Sequence, residues 1–398
     1  MTTSDSGHAT PEVRWQARRI RIGDSDFPYY HGIDCADRVL DELATMDADL
    51  FVVVTDDTVL GLHGGRLLTG LRELAPVEVL SHPPGESMKT LTVLSECLRR
   101  ALAAGATRRS VVIGLGGGVP GNLAGVVAAL MFRGVRLVHI PTTTTAAMDS
   151  VLSLKQAINS DIGKNHIGTY LAPHAVFTDV AMLATLPERE LRSGLCEAAK
   201  NCLAIWPRAL PTLRKVLAEG TLATPESLLW LLEESIAAKS RVTVDDTREQ
   251  RGGLVLEYGH TVGHAVELAD HRLRGAEGVS HGEAIAFGML VAATISLARG
   301  WLSPADAEVH HEVVAALGAP VRLPEGVSID DVLAVVRDDN KRGYLALAPD
   351  SLAFVLLRDL GSPAGDPQLP LVPVTLEEVR AALVAVQTRV LEPTGAAR

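Results

Sequence analysis

Cysteine is scarce in this chain: four in 398 residues, Cys35, Cys97, Cys196 and Cys202, with no CxxC spacing among them. That argues against a disulfide framework and reads as reduced thiols in a cytoplasmic protein. Cys196 adjoins Glu197, where a packed thiol is expected rather than a ligand. Positive charge is also short, with 37 Lys and Arg against 48 Asp and Glu and a net charge of −11. No nucleic-acid or anionic-membrane partner is therefore expected, and an anionic substrate would have to be met by a local basic cluster. No apolar run of membrane-spanning length is free of charge, so no transmembrane helix is expected. The polar start, MTTSDSGHATPEVR, lacks the apolar core of a signal peptide and reads as a frayed tail. Internal repeats and low-complexity segments are absent.

Hydrophobic residues make up 47% of the chain, enough for a large core, and the length exceeds that at which single cores usually divide. The first half alternates strand-like apolar runs with helical patterns: FVVVTDD (51–57), VEVLSH (77–82), the helical TLTVLSECLRRALAAG (90–105), SVVIGLGGG (110–118), RLVHIPTTTT (136–145) and AVFTD (175–179). Such alternation predicts a parallel sheet with helices on both faces, whose ligands bind beyond the carboxyl ends of the strands. From about residue 188 helical patterns dominate, at 188–204, 225–242, 256–271, 281–300, 304–317 and 328–338, with one strand-like run at 351–360. The expected division is a tail at 1–18, a Rossmann-like α/β domain at 19–187 and a mostly α-helical domain at 188–398, with the junction near PER (187–189).

The chemistry concentrates in a few stretches. Glu197 in GLCEAAKN, His260 and His264 in EYGHTVGHAVEL, and His281 in SHGEA offer a carboxylate and imidazoles, a donor set suited to a borderline divalent cation such as zinc or cobalt. His260 and His264 are four apart and share a helix face. Lys200 follows Glu197 by one turn. GLGGGVPGN (114–122) follows a strand and precedes a helix, so its glycines let a pyrophosphate approach the backbone and the helix N-terminus. In PPGESMKT (83–90), Glu86 could accept from a ribose, with Lys89 nearby. Asp56 ends the first strong strand. Together these loops favour a nicotinamide dinucleotide. In PTTTTAAMDSVLSLKQAINSDIGKN (141–165), Thr142 and Thr143 supply hydroxyls at a strand end, and Asp149, Lys155, Lys164 and Asn165 follow. Lys155 and Asn165 would suit a phosphate, to which ammonium and amide groups donate; Arg133 in MFRG adds a guanidinium fork. Lys239 and Lys341 could be further contacts or ordinary surface lysines.

Together GGGVPGN, PTTTTAAMDSVLSLKQAIN, GKN, ExxK and GHTxGHAxE with a later HGEA resemble the sugar phosphate cyclases, the dehydroquinate-synthase-like superfamily, from about residue 50 to about 345. Within it, SVLSLKQAIN, LEYGHTVGHAVELA and DDNKRGY look most like the branch that turns glucose 6-phosphate into a carbocycle for aminoglycoside antibiotics. The resemblance implies bound NAD, one zinc or cobalt ion and a homodimer. It places the metal on Glu197, His260 and His281, and makes His264 a catalytic residue near the leaving phosphate. Asp149, Lys155, Lys200, Lys239 and Glu257 match positions that bind substrate or move protons, as do the substrate-binding positions Asn165 and Lys341. Arg133 matches an arginine lent to the neighbouring subunit's phosphate. Asp56, Glu86, Lys89, Gly116, Gly117, Gly118, Val119, Asn122, Thr142, Thr143, Asp149, Lys164, Asn165, Thr185 and Glu190 match cofactor positions.

Departures from the pattern narrow the branch. Dehydroquinate synthases carry an arginine and an asparagine before the first histidine ligand, where this chain has Gly253 and Glu257; without that arginine a carboxylated substrate loses its bidentate partner. Valiolone-type cyclases typically lack the histidine that stands here as His264. Asn122 replaces a usual aspartate. Dehydroquinate synthase, a valiolone-type cyclase and, more remotely, a metal-dependent polyol dehydrogenase or a non-catalytic NAD- and metal-binding regulator are the alternatives.

Overall fold

In a computed structural model, which describes residues 15–161, 163–338, 341 and 343–389, the chain pairs a parallel-sheet α/β N-terminal domain with a helical C-terminal region. The strands of the N-terminal half are β1 (Trp15–Ile22), β2 (Ser25–Gly32), β3 (Phe51–Asp56), β4 (Val77–His82), β5 (Val111–Gly116), β6 (Arg136–Pro141), β7 (Lys155–Ser160), β8 (Gly163–Tyr170) and β9 (Ala175–Asp179). Seven form one sheet in the order β1-β2-β9-β6-β5-β3-β4, parallel except for the antiparallel β1–β2 pair. The central runs FVVV and VVIGLG are buried throughout, as strands covered on both faces must be. Two apolar clusters cover the two faces. One gathers Val52, Val54, Val112 and Leu123; the other gathers Phe51, Val53, Ile113 and Phe177.

The third cluster is the largest, and it joins the two halves. Ile20, Ile22, Phe27 and Tyr29 from the β1–β2 hairpin pack with apolar residues of the Glu188–Ala204, Pro225–Thr243, His260–Arg274 and His281–Ala298 helices. Trp15 to Arg18 already belong to β1, which corrects the tail expected at 1–18; residues 1–14 and the C-terminal EPTGAAR lie outside the described residues. The run expected as one strand at 351–360 is two, Ser351–Phe354 and Leu357–Asp359. By length and composition the His281–Ala298 helix could cross a membrane, but most of it is buried inside the protein.

Glycine decides how closely these helices approach. A Cβ at Gly288 would fall 2.0 Å from the Gly259 carbonyl oxygen, and one at Gly282 would fall 1.9 Å from that of Ser193. The first contact seats the His260 helix on the His281 helix; the second draws in the helix that carries Glu197. Three candidate metal ligands, one from each of three helices, thereby converge.

Candidate active site

Glu197 stands on the Glu188–Ala204 helix, almost fully buried, and its Oε2 accepts from Lys200 Nζ at 2.6 Å. Among the described residues its Oε1 has no hydrogen-bond partner, yet it faces His281 Nε2 at 3.5 Å and His260 Nε2 at 3.8 Å. A buried carboxylate oxygen without a donor is costly, and a cation between these three atoms would satisfy it. Both rings are set for this. His260 Nδ1 lies 3.2 Å from the Tyr258 carbonyl and His281 Nδ1 lies 2.8 Å from Glu267 Oε2. Each Nδ1–H thus donates away from the site and leaves the Nε2 lone pair facing in. Burial pushes His260 down to about 3 despite the pull of Glu257 and Glu197, so it is a neutral imidazole. His264 joins the group: the three imidazoles offer nitrogens within 4.8 Å of one another. Geometry thus gathers four donors, including the His260–His264 pair that spacing alone suggested.

Beside this cluster lies a cleft of 690 Å³ lined by Lys89, Asn122, Asp149, Lys155, Asn165, Lys200, Lys239, Glu249, Glu257 and His260, among others. Lys239 is buried and donates to the Asp149 carboxylate and carbonyl, both at 2.7 Å. Burial would lift the Asp149 carboxyl, but Lys239 and Lys200 hold it well below the usual range. Lys341 is also buried, 3.4 Å from Glu257 Oε2. Glu257 is likewise held low against its burial, by His260 and Lys341. Neither Lys239 nor Lys341 is the surface lysine that composition alone allows. Lys155 is exposed and reaches Glu249 at 2.6 Å.

Most of the cofactor candidates follow the carboxyl ends of β4, β3, β5 and β6, four neighbours in the sheet. Asp56 ends β3 and caps the following helix through Val59 N–H. Glu86 accepts from Asn159 at 2.8 Å, and Lys89 donates to Asn165, so the β7–β8 hairpin docks on this loop. Burial draws the Lys89 ammonium down. Gly117 stands at the N-terminus of the Gly118–Leu130 helix, whose first turn holds Val119. Gly116 receives the Thr142 N–H, and Thr143 caps the next short helix. Asn122 uses both ends of its amide within the protein, donating to Gly118 O and accepting from Ala157 N–H, each at 2.8 Å. Thr185 and Glu190 are exposed near the start of the helical region, Thr185 bonded to Met182 O and His63. Lys164 is exposed and points to Glu267 at 3.3 Å. Arg133 is exposed, with a left-handed backbone (φ 69°), and is not among the residues that line this cleft.

Sequence reading assigned no role to Glu249, Asp246 or Glu267. Glu249 sits at φ 53° on a loop that Asp246 ties down by accepting from the N–H groups of Gln250, Arg251 and Gly253 at 3.0, 2.7 and 2.9 Å. Asp246→Ala is expected to cost about 2 kcal/mol and to raise KM as the Lys155 partner loosens; chemical denaturation and initial rates would measure both. At Gly253 a Cβ would lie 2.8 Å from Asp246 Oδ2, so the glycine is matched to this tether.

Comparison with known proteins agrees with the geometry. The family models for the 3-dehydroquinate synthase N-terminal and C-terminal regions match residues 79–193 and 194–342. A 2-deoxy-scyllo-inosose synthase of Streptoalloteichus tenebrarius is 45% identical over 386 residues, 96% of this chain and 99% of that protein. One from Niallia circulans is 36% identical, over 90% and 96% respectively. A solved 2-deoxy-scyllo-inosose synthase, complexed with carbaglucose-6-phosphate, NAD+ and Co2+, superposes with a TM-score of 0.84 at 34% identity, covering 92% of this chain and 99% of that one. The chain belongs to the dehydroquinate-synthase-like sugar phosphate cyclases.

Proposed function

We propose that this chain converts D-glucose 6-phosphate to 2-deoxy-scyllo-inosose and inorganic phosphate, the carbocycle-forming step toward aminoglycoside antibiotics. The observation that carries the reading is the juxtaposition of the Glu197–histidine cluster with a cleft of lysines and Asn165, and with Glu257 where a carboxylate-binding sequence would place asparagine. Incubation with glucose 6-phosphate, NAD and cobalt, followed by phosphate release, tests it.

The loops after β3, β4, β5 and β6 would hold NAD, which would supply a reversible hydride acceptor, and Glu197, His260 and His281 would hold a zinc or cobalt ion, which would supply a Lewis acid to the sugar's hydroxyl oxygens. The chain's own groups hold one flexible molecule through oxidation, phosphate elimination, reduction, ring opening and aldol closure. Lys155, Asn165 and Lys341 donate to the phosphate, and His264 stands by the leaving group. Lys155 exchanges Glu249 for the phosphate. Glu257, fully ionised, accepts from sugar hydroxyls, and Asp149, Lys200 and Lys239 bind or protonate others. Hydride returns in every cycle, so the reaction is redox-neutral overall.

The working assembly in this reading is a cytoplasmic homodimer, divided near Pro187 into the cofactor and metal halves, in which the partner subunit's Arg133 completes the phosphate site. The exposure of Arg133 away from its own cleft supports this, and the four buried, unpaired cysteines fit a reducing compartment. Arg133→Ala and Lys155→Ala, each inactive alone, should on mixing recover up to about a quarter of the unmodified activity, the share of intact sites after random exchange. Demonstrated subunit exchange without recovery would remove Arg133 from the neighbour's site.

A further inference from the structure

Glu267 lies on the His260–Arg274 helix, and its carboxylate is nearly buried between two partners from different parts of the chain. Oε2 receives His281 Nδ1 at 2.8 Å, and Oε1 faces Lys164 Nζ at 3.3 Å. His281 in turn presents Nε2 to the unpartnered Glu197 Oε1 at 3.5 Å. A continuous chain of contacts thus runs from an exposed lysine on β8, beside the cofactor loops, to the centre of the histidine cluster. Lys164 also has the reach and exposure to turn toward an anion, since its Glu267 contact is long and its side chain is 61% exposed.

We propose that Glu267 is a positioning residue that couples cofactor loading to metal affinity. It acts through His281, fixing the tautomer and lending negative charge to the ring, and Lys164 governs how much of that charge is available. With Lys164 on Glu267, the ammonium neutralises part of the carboxylate and the imidazole is a poorer ligand. When the dinucleotide's pyrophosphate draws Lys164 away, Glu267 is left to His281 alone and the ion is held more tightly. By linkage the ion tightens the dinucleotide by the same factor, about fivefold or more. This coupling rests on His281 being a ligand, as proposed above, but on no particular sugar substrate.

Cobalt affinity of the full-length protein, measured by chelator competition and by the cobalt visible spectrum, with and without saturating NAD, tests the relay. The unmodified protein should bind cobalt about fivefold or more tightly with NAD. Lys164→Met should bind cobalt tightly even without NAD and show little further gain. Glu267→Gln should weaken cobalt about 10- to 100-fold, alter the spectrum and lose the coupling, and Glu267→Asp should restore part of both. Unchanged coupling in Lys164→Met, or unchanged cobalt affinity and spectrum in Glu267→Gln, would overturn the relay. Failure of the unmodified protein to bind cobalt at all would instead strike the metal shell itself.

Discussion

Alanine at His281 is expected to strip the metal from the protein and to cut turnover by about 1,000-fold or more. The ring supplies one of three donors, with His260 and Glu197 Oε1, a buried oxygen that has no hydrogen-bond partner among the described residues. Losing one donor of three leaves an ion held by a carboxylate and one imidazole. The fold should survive, because His281 opens its helix half-exposed and the Ser280–Glu283 capping box remains. NAD should still bind, weakened by no more than about tenfold through the coupling described above. Metal analysis after dialysis and calorimetric NAD titration would read the two effects separately. Full metal occupancy in this variant would refute the assignment of His281.

Substrate choice is the second large effect. A carboxylated heptulosonate phosphate, the substrate of dehydroquinate synthases, should be turned over at least about 1,000-fold less efficiently than glucose 6-phosphate. The cleft presents Glu257, an anion anchored to Lys341, where the carboxylated substrate needs a neutral amide, and no guanidinium comes from position 253. Restoring arginine alone should not convert the enzyme. Gly253 donates its N–H to Asp246 and has no room for a Cβ beside that carboxylate, so Gly253→Arg would first displace the loop that carries Glu249. Glu257→Gln should lower glucose 6-phosphate turnover about 100-fold and leave NAD binding within about twofold, since the residue faces the sugar and not the cofactor loops. Efficient dehydroquinate formation by the unmodified protein would shift the chain to another branch while leaving the metal cluster intact.

The parallel strands were legible because burial on both faces demands unbroken runs such as FVVV and VVIGLG. The β1–β2 hairpin was not: WQARRIRI is mostly exposed, only Ile20 and Ile22 point into the core, and what they pack against lies far along the chain. The β7–β8 hairpin is polar and offers no unbroken apolar run to mark it as a strand pair. Within the site, the histidines and Glu197 were visible as residue types, but their convergence depends on helix contacts at Gly282 and Gly288 that no local pattern announces. Glu267 was written into the GHTxGHAxE motif without a role, since its partners, Lys164 and His281, lie 103 and 14 residues away in the chain. Glu249 carried no local signal either; its position follows from three backbone hydrogen bonds to Asp246.

The central claim is a redox-neutral carbocyclisation, and the most direct test follows product and cofactor together. The unmodified protein is incubated with glucose 6-phosphate, cobalt and NAD well below the substrate concentration, while phosphate release, near-ultraviolet nicotinamide absorbance and product mass are recorded. The account predicts many phosphates released per NAD, no rise in NADH, and a product whose mass equals the substrate less phosphoric acid. NADH accumulating in step with product, or phosphate release that stops after one equivalent of NAD, would contradict it.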